Sequence, residues 1–271
     1  MSNDLGAPTA AVVLAAQSGD AVALEELVMS VRDRVYRLSL RMTACPADAE
    51  DATQEILIRL ITRLSTFRGH AAFSTWAHRI AVNHLLDRAK SVVERMEMTF
   101  DEFAADLLNG LASAPSTSPD AALLEREVQL ACTHAMLTCL DREHRVAYIL
   151  GEIFDVDSDD GGYICDISPA AYRKRLSRAR ERVRTFVDHH CGLVSSSAAC
   201  HCSKRIEAAV ATGRAAPTSL RFTDITASAN DEMVRFRDAA ALLRSLPSAR
   251  IPTTTVDVVV RLIRNSSVAS A

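Results

Sequence analysis

Glycine is scarce in this chain, with nine among 271 residues. A phosphate-cradling loop needs glycines at fixed offsets, and no such run occurs. No nucleophile has a supporting base, and paired carboxylates appear only where helices start. No catalytic set is read, and the chain is not expected to be an enzyme. No apolar run reaches the roughly 20 residues of a membrane span. The first ten residues, MSNDLGAPTA, lack a basic start and a hydrophobic core. No secretory signal is therefore expected, the location is read as cytoplasmic, and no membrane partner is assigned. A net charge of −3 excludes a wholly basic nucleic-acid coat. Aromatics are only 5 %, with a single tryptophan.

What is present is 48 % apolar and rich in Ala, Leu, Arg and Glu, a composition that reads as mostly helical. The length suits two small domains at about 100–200 residues each. The charge is patterned: residues 141–160 carry seven acids and two arginines, and 171–186 carry seven basic residues and one acid. Four of the seven cysteines (Cys45, Cys132, Cys139, Cys165) are scattered and read as reduced, buried thiols. The other three cluster at 191–202.

The first ten residues are expected to be disordered. Amphipathic helices are then expected over 21–42, with Leu24, Leu27, Val28, Val31, Val35 and Leu38 inward, and over 48–64, acidic at its start as the helix dipole favours. Residues 65–72 read as a loop, followed by a helix to about 90. Residues 113–119, SAPSTSP, read as a linker. Periodicity resumes over 121–140. Asp141 can cap a helix over 142–154, and Ser168-Pro169 starts another that runs to about 187. In that last helix Tyr172, Leu176, Ala179, Val183 and Phe186 form one stripe. Later, 231–246 reads as an amphipathic helix, and 253–263 is open between strand and helix.

The chain is organised around residues 67–88, FRGHAAFSTWAHRIAVNHLLDR. Phe73, Ala77, Ile80, Ala81 and Leu85 make one buried helical face. Trp76, Arg79 and Asn83 lie on a neighbouring face and carry groups that stack on bases and hold phosphates. The alternative there is a core tryptophan with two solvated neighbours. Residues 141–187 read as a helix–turn–helix with a basic final helix, the arrangement that lays a recognition helix in a major groove. A solvated or partner-binding basic face is the alternative, though mixed signs are the rule on such faces.

Two strings, DAEDATQEILIRL…LSTFRGHAAFSTWAHRIAVNHLLDR and LDREHRVAYILGEIF…ISPAAYRKRLSRARERVRTF, together resemble bacterial sigma-70 family factors of the extracytoplasmic-function (ECF) group. The resemblance covers about 10–90 and 121–190. It implies an all-α protein of two small helical domains, an N-terminal bundle and a C-terminal helix–turn–helix, joined by a linker and followed by an extension. It implies a region 2-like domain over 10–90, for polymerase docking and −10 recognition. A linker over 91–120 and a region 4-like domain over 121–190, for −35 recognition, would follow, with a Cys-containing extension over 191–271. Core RNA polymerase and promoter DNA are the implied partners, with an anti-sigma protein as a further candidate. On this resemblance Asp51, Gln54 and Glu55 face the polymerase. Phe67, Arg68, Ser74, Trp76, Arg79 and Asn83 read the melted −10 strand, and Ala171, Arg173, Lys174 and Arg178 approach the −35 groove.

One place departs from the family pattern: the helix before the turn holds Asp159-Asp160-Gly161-Gly162. Two glycines disfavour helix by about 1 kcal/mol each, and the acids repel phosphate. A weak or conditional −35 contact is expected. Cys191, Cys200, Cys202 and His190 (or His189) are candidate zinc ligands by type, though their spacing matches no standard finger. Free thiols or a redox-sensitive pair are the alternatives. Two other readings of the whole chain stay open: a free-standing helix–turn–helix regulator, and a metal- or redox-responsive regulator without polymerase binding.

Overall fold

The structure is a computed structural model and describes residues 8–91, 93–96, 98–212, 214–215, 220, 222, 238–244 and 249–268. The described residues are helical or irregular, apart from one isolated parallel bridge between Cys191 and Cys200. The all-α expectation is met.

Helix α1 (Ala10–Gln17) is apolar almost all round, so periodicity gave no sign of it. Its Gln17 amide donates to the carbonyls of Leu64 and Phe67, both at 3.0 Å, and so pins the loop that leads into the central stretch. Helix α2 (Ala21–Thr43) starts where the Asp20 carboxylate accepts from the N–H groups of Val22 and Ala23. It stops at Ala44, whose φ of 51° is left-handed. Pro46 then opens α3 (Pro46–Arg63), which buries Ala49, Ala52, Ile56, Leu57 and Leu60. After a short 3-10 turn at Leu64–Thr66 comes α4 (Phe73–Asp87), packed on α2 and α3.

The connector is more ordered than its composition suggested. Helix α5 (Phe100–Leu108) carries a full capping box: the Thr99 hydroxyl accepts from the Glu102 N–H at 3.2 Å, and the Glu102 carboxylate accepts from the Thr99 N–H at 2.7 Å. The Thr99-x-x-Glu102 spacing was the missed signal.

The second unit comprises α6 (Ala121–Thr138), α7 (Arg142–Tyr148), α8 (Ser158–Cys165) and α9 (Pro169–His190). Helix α7 widens into a π turn at Ile149–Ile153. There Gly151 lets α9 approach, since a Cβ would sit 2.4 Å from Leu176 Cδ2. Helix α8 forms despite its glycines. The Asp157 carboxylate caps it by accepting from the N–H groups of Asp159 and Asp160, both at 2.9 Å. A Cβ on Gly161 would lie 2.4–2.8 Å from the Tyr172 ring. Low intrinsic propensity is thus the condition for close packing of α8 on α9, a tertiary override of local preference.

The two units meet, and one hydrophobic cluster runs from Val13 to Ile263. Glu94, buried in the connector, joins them. Arg145 lies 2.7 Å from its Oε1, Arg142 donates to both oxygens at 2.9 and 3.0 Å, and the Ser91 N–H donates at 3.0 Å. In the extension, α10 (Cys202–Ala211) packs on α6. Of the helix expected over 231–246, Ala239–Arg244 is helical (α11), and 231–237 and 245–246 lie outside the described residues. The ambiguous 253–263 segment is helical, within α12 (Thr253–Val268), and buries Val256, Val259 and Ile263 as it packs on α2 and α3.

Candidate nucleic-acid interface

Helix α4 presents the central stretch. Phe73, Ala77, Ile80, Ala81 and Leu85 are all buried, as the periodicity predicts. Trp76 does not share an exposed face with Arg79 and Asn83. It is 8 % exposed, with its ring 5.3 Å from Phe67 and 5.7 Å from Phe73. The spacing identifies the face, but the loop returning Phe67 over it closes that face off. Each such aromatic pair adds about 0.5–1.5 kcal/mol beyond burial. Phe67 itself is half-buried, Arg68 is exposed with its guanidinium donating to Ser65 O at 3.2 Å, and Asn83 is exposed. The Ser74 carbonyl lies 2.6 Å from His78 Nδ1.

Arg79 is engaged across the unit boundary. Its Nη2 lies 2.7 Å from Asp166 Oδ1, its Nη1 donates to Tyr163 O at 3.1 Å, and its guanidinium sits 4.8 Å from the Tyr163 ring centroid. One turn earlier, the Thr75 hydroxyl donates to Asp160 Oδ2 at 3.3 Å. The acidic tract that departs from the expected pattern therefore lies on α4.

On α9, Ala171, Arg173, Lys174 and Arg178 are exposed together. Tyr172 is core, its hydroxyl donating to Ala147 O at 3.3 Å. The basic surface is partly neutralised within the chain: Arg175 pairs with Glu143 at 2.7 Å, Arg180 with Glu152, and Arg184 with Glu181 at 2.6 Å, whereas Arg173 donates to the uncharged Ser158 Oγ at 3.1 Å and keeps its charge. Glu143 and Glu152 come from the acidic 141–160 window, and a count along the sequence does not show that they meet α9.

On α3, Asp51 is exposed and Gln54 half-buried. Glu55 is exposed but faces Arg88 at 3.5 Å and His84 at 3.4 Å. Burial pushes the His84 imidazole down, with the Arg59 and Arg88 charges adding to it and Glu55 opposing. Helix α12 sits beside this surface, Thr255 donating to Glu50 at 3.4 Å.

All seven cysteines are free. Cys132, Cys139, Cys200 and Cys202 line a mostly apolar cavity of about 250 Å³ between α5, α6 and the extension. Burial pushes the thiols of Cys132 and Cys202 well up and Cys200 to about 11, which keeps them protonated. His190 packs on Phe186 at 5.0 Å. Among the described residues, Cys191, Cys200, Cys202 and His190 included, no three His, Cys, Asp or Glu side chains gather as a metal-binding group. Nor is any described helix long and apolar enough to cross a membrane.

Comparison with known proteins bears on this arrangement directly. Residues 27–93 match the Sigma-70 region 2 family. The chain is 30 % identical over 172 residues to the RNA polymerase sigma-H factor of Pseudomonas aeruginosa, covering 62 % of this chain and 87 % of that protein. It is 29 % identical over 199 residues to the ECF RNA polymerase sigma factor SigE of Mycolicibacterium smegmatis, covering 70 % of this chain and 72 % of that protein. It is 26 % identical over 170 residues to the ECF sigma factor SigW of Bacillus subtilis, covering 62 % and 90 %. The region 2 match spans α2, α3 and α4, the helices that carry the candidate strand-reading and docking residues, and the longer similarities extend well beyond it: the chain belongs to the ECF group of the sigma-70 family of RNA polymerase sigma factors.

Proposed function

We propose that this chain binds core RNA polymerase and directs promoter-specific transcription initiation. Residues 10–90 act as the docking and −10 domain, and 121–190 as the −35 domain. The observation that carries this reading is similarity to sigma factors that runs far past the region 2 match. It favours a two-domain factor over a free-standing regulator. Asp51 and Gln54, with Glu55 beside them, offer acidic and amide groups to the polymerase. Phe67, half-buried and backed by the buried Trp76, offers the ring for an unpaired base, with Arg68, Ser74, Arg79 and Asn83 around it. A stacked base is worth about 1–3 kcal/mol and tolerates sequence. Ala171, Arg173, Lys174 and Arg178 present a small residue and three cations to the groove and its phosphates. Catalysis stays with the polymerase.

The experiment is co-elution of the purified, reduced chain with bacterial core RNA polymerase at moderate salt. A stoichiometric complex is expected. Tight duplex binding by the chain alone, with no complex, would favour the free-standing regulator instead.

A further inference from the structure

We propose that the acidic turn around α8 is an internal stand-in for the promoter strand, and that it closes the strand-reading face of α4 until the second unit moves away. This rests on the reading of α4 as that face.

The contacts that Arg79 makes carry the inference. A guanidinium in a single-strand site meets an anionic phosphate oxygen, a neutral acceptor and the face of a ring. Arg79 has all three within the chain: Asp166 Oδ1 at 2.7 Å, Tyr163 O at 3.1 Å and the Tyr163 ring at 4.8 Å. The Thr75 hydroxyl, one turn away, has Asp160 at 3.3 Å in the place of a second anionic oxygen. A strand cannot reach Arg79 while these contacts stand.

The sequence around the turn fits this role better than it fits groove binding. Asp155, Asp157, Asp159, Asp160 and Asp166 would repel duplex phosphates, yet two of them meet polar groups of α4. Gly161 and Gly162 let Tyr172 and the 167–169 backbone lie against α8, which fixes where the acids point. Asp166 sits at φ 56°, the left-handed cap of α8, and that turn aims its carboxylate at Arg79. Asp166 is also 74 % exposed, so water screens the pair and a binding partner can open it. Meanwhile Ala171, Arg173, Lys174 and Arg178 stay exposed. The closure acts on the strand-reading face and leaves the groove-facing surface open.

The test uses the full chain and a labelled, mixed-sequence single-stranded DNA oligonucleotide, followed by fluorescence anisotropy. Asp160→Asn with Asp166→Asn removes the two carboxylate charges that face α4 and leaves only neutral acceptors in their place. Asp155→Asn with Asp159→Asn removes two charges from the same tract without touching α4, and serves as the charge-matched control. The first variant is expected to bind about threefold or more tighter than the control, and adding Arg79→Ala to it should abolish the gain. Equal affinities for variant and control would overturn the proposal. Asp166→Asn alone repeats the test at an exposed side chain where asparagine tolerates the backbone. The sigma-factor reading fails separately, if neither wild type nor variant co-elutes with core polymerase.

Discussion

Glu94 binds two arginines of the second unit from a position that periodicity leaves unmarked. Burial alone would push its carboxyl up, but hydrogen bonds from Arg142 and the Ser91 N–H, with the Arg145 charge, hold it below the usual range. Arg145 is itself buried, and also donates to Met42 O and to Leu140 O at 3.0 Å. Replacing Glu94 with Ala leaves that cation without its counter-charge, and a loss of about 3 kcal/mol is expected. A lowered urea midpoint at unchanged slope would register it. Two histidines set a separate pH dependence. Burial pushes His78 to about 4, helped by Arg34, and His134 to about 4, helped by Arg41. Both are neutral in the fold, whereas the unfolded chain takes up their protons near 6.5. The unfolded state therefore binds more protons below that value, and stability should fall as pH drops from 6.5 towards 4. Glu94 acts lower, its contribution being lost as pH falls below the ordinary carboxylate value of 4.5. His134→Phe, on a ring stacked against Phe222, should flatten the upper part of the profile in urea midpoints taken across pH. A profile unchanged by that substitution would contradict this assignment. At this scale the sequence reveals which residues share a face, as with Tyr172 in the core. It does not reveal what returns to cover a face, as Phe67 does over Trp76.

Among the elements, α2, α3, α4, α6 and α9 were legible because each is long and one-sided, and α2 and α9 are also capped, by Asp20 and Ser168. Helix α8 forms against the cost its glycines carry, and for an instructive reason. Propensity counts what a residue contributes to an isolated helix, whereas Gly161 is there for what Tyr172 requires. Gly161→Ala should thus destabilise the protein by about 1–3 kcal/mol, the usual cost of overpacking, against a propensity gain of about 1 kcal/mol. Thermal unfolding measures the sign, and a raised Tm would show that Tyr172 can yield. Helix α5 was visible in principle through Thr99 and Glu102. Helix α1 was not, since an almost uniformly apolar eight-residue segment has no period to read.

For the molecule as a whole, sequence resolves two helical units and a connector but not how they face each other. The contacts that join them, Glu94 with Arg142 and Arg145, and Arg79 with Asp166, pair charges from distant segments, and no local pattern announces them. The extension adds to this closure. Arg244 pairs with Glu152, Arg264 pairs with Glu25 at 3.0 Å, and α12 lies on the helices that carry the docking candidates. In the extension, Cys200 and Cys202 line the apolar cavity together with Cys132 of α6, a neighbour that the spacing of the 191–202 cluster does not announce. The central claim is that the chain gives a polymerase its promoters. Core RNA polymerase should be supplied with genomic DNA from the source organism, with and without the chain, and the transcript 5′ ends mapped. The account predicts a discrete set of start sites that appears only with the chain and is lost on Trp76→Ala with Arg79→Ala. An unchanged pattern of 5′ ends, from a chain that co-elutes with the polymerase or not, would contradict it.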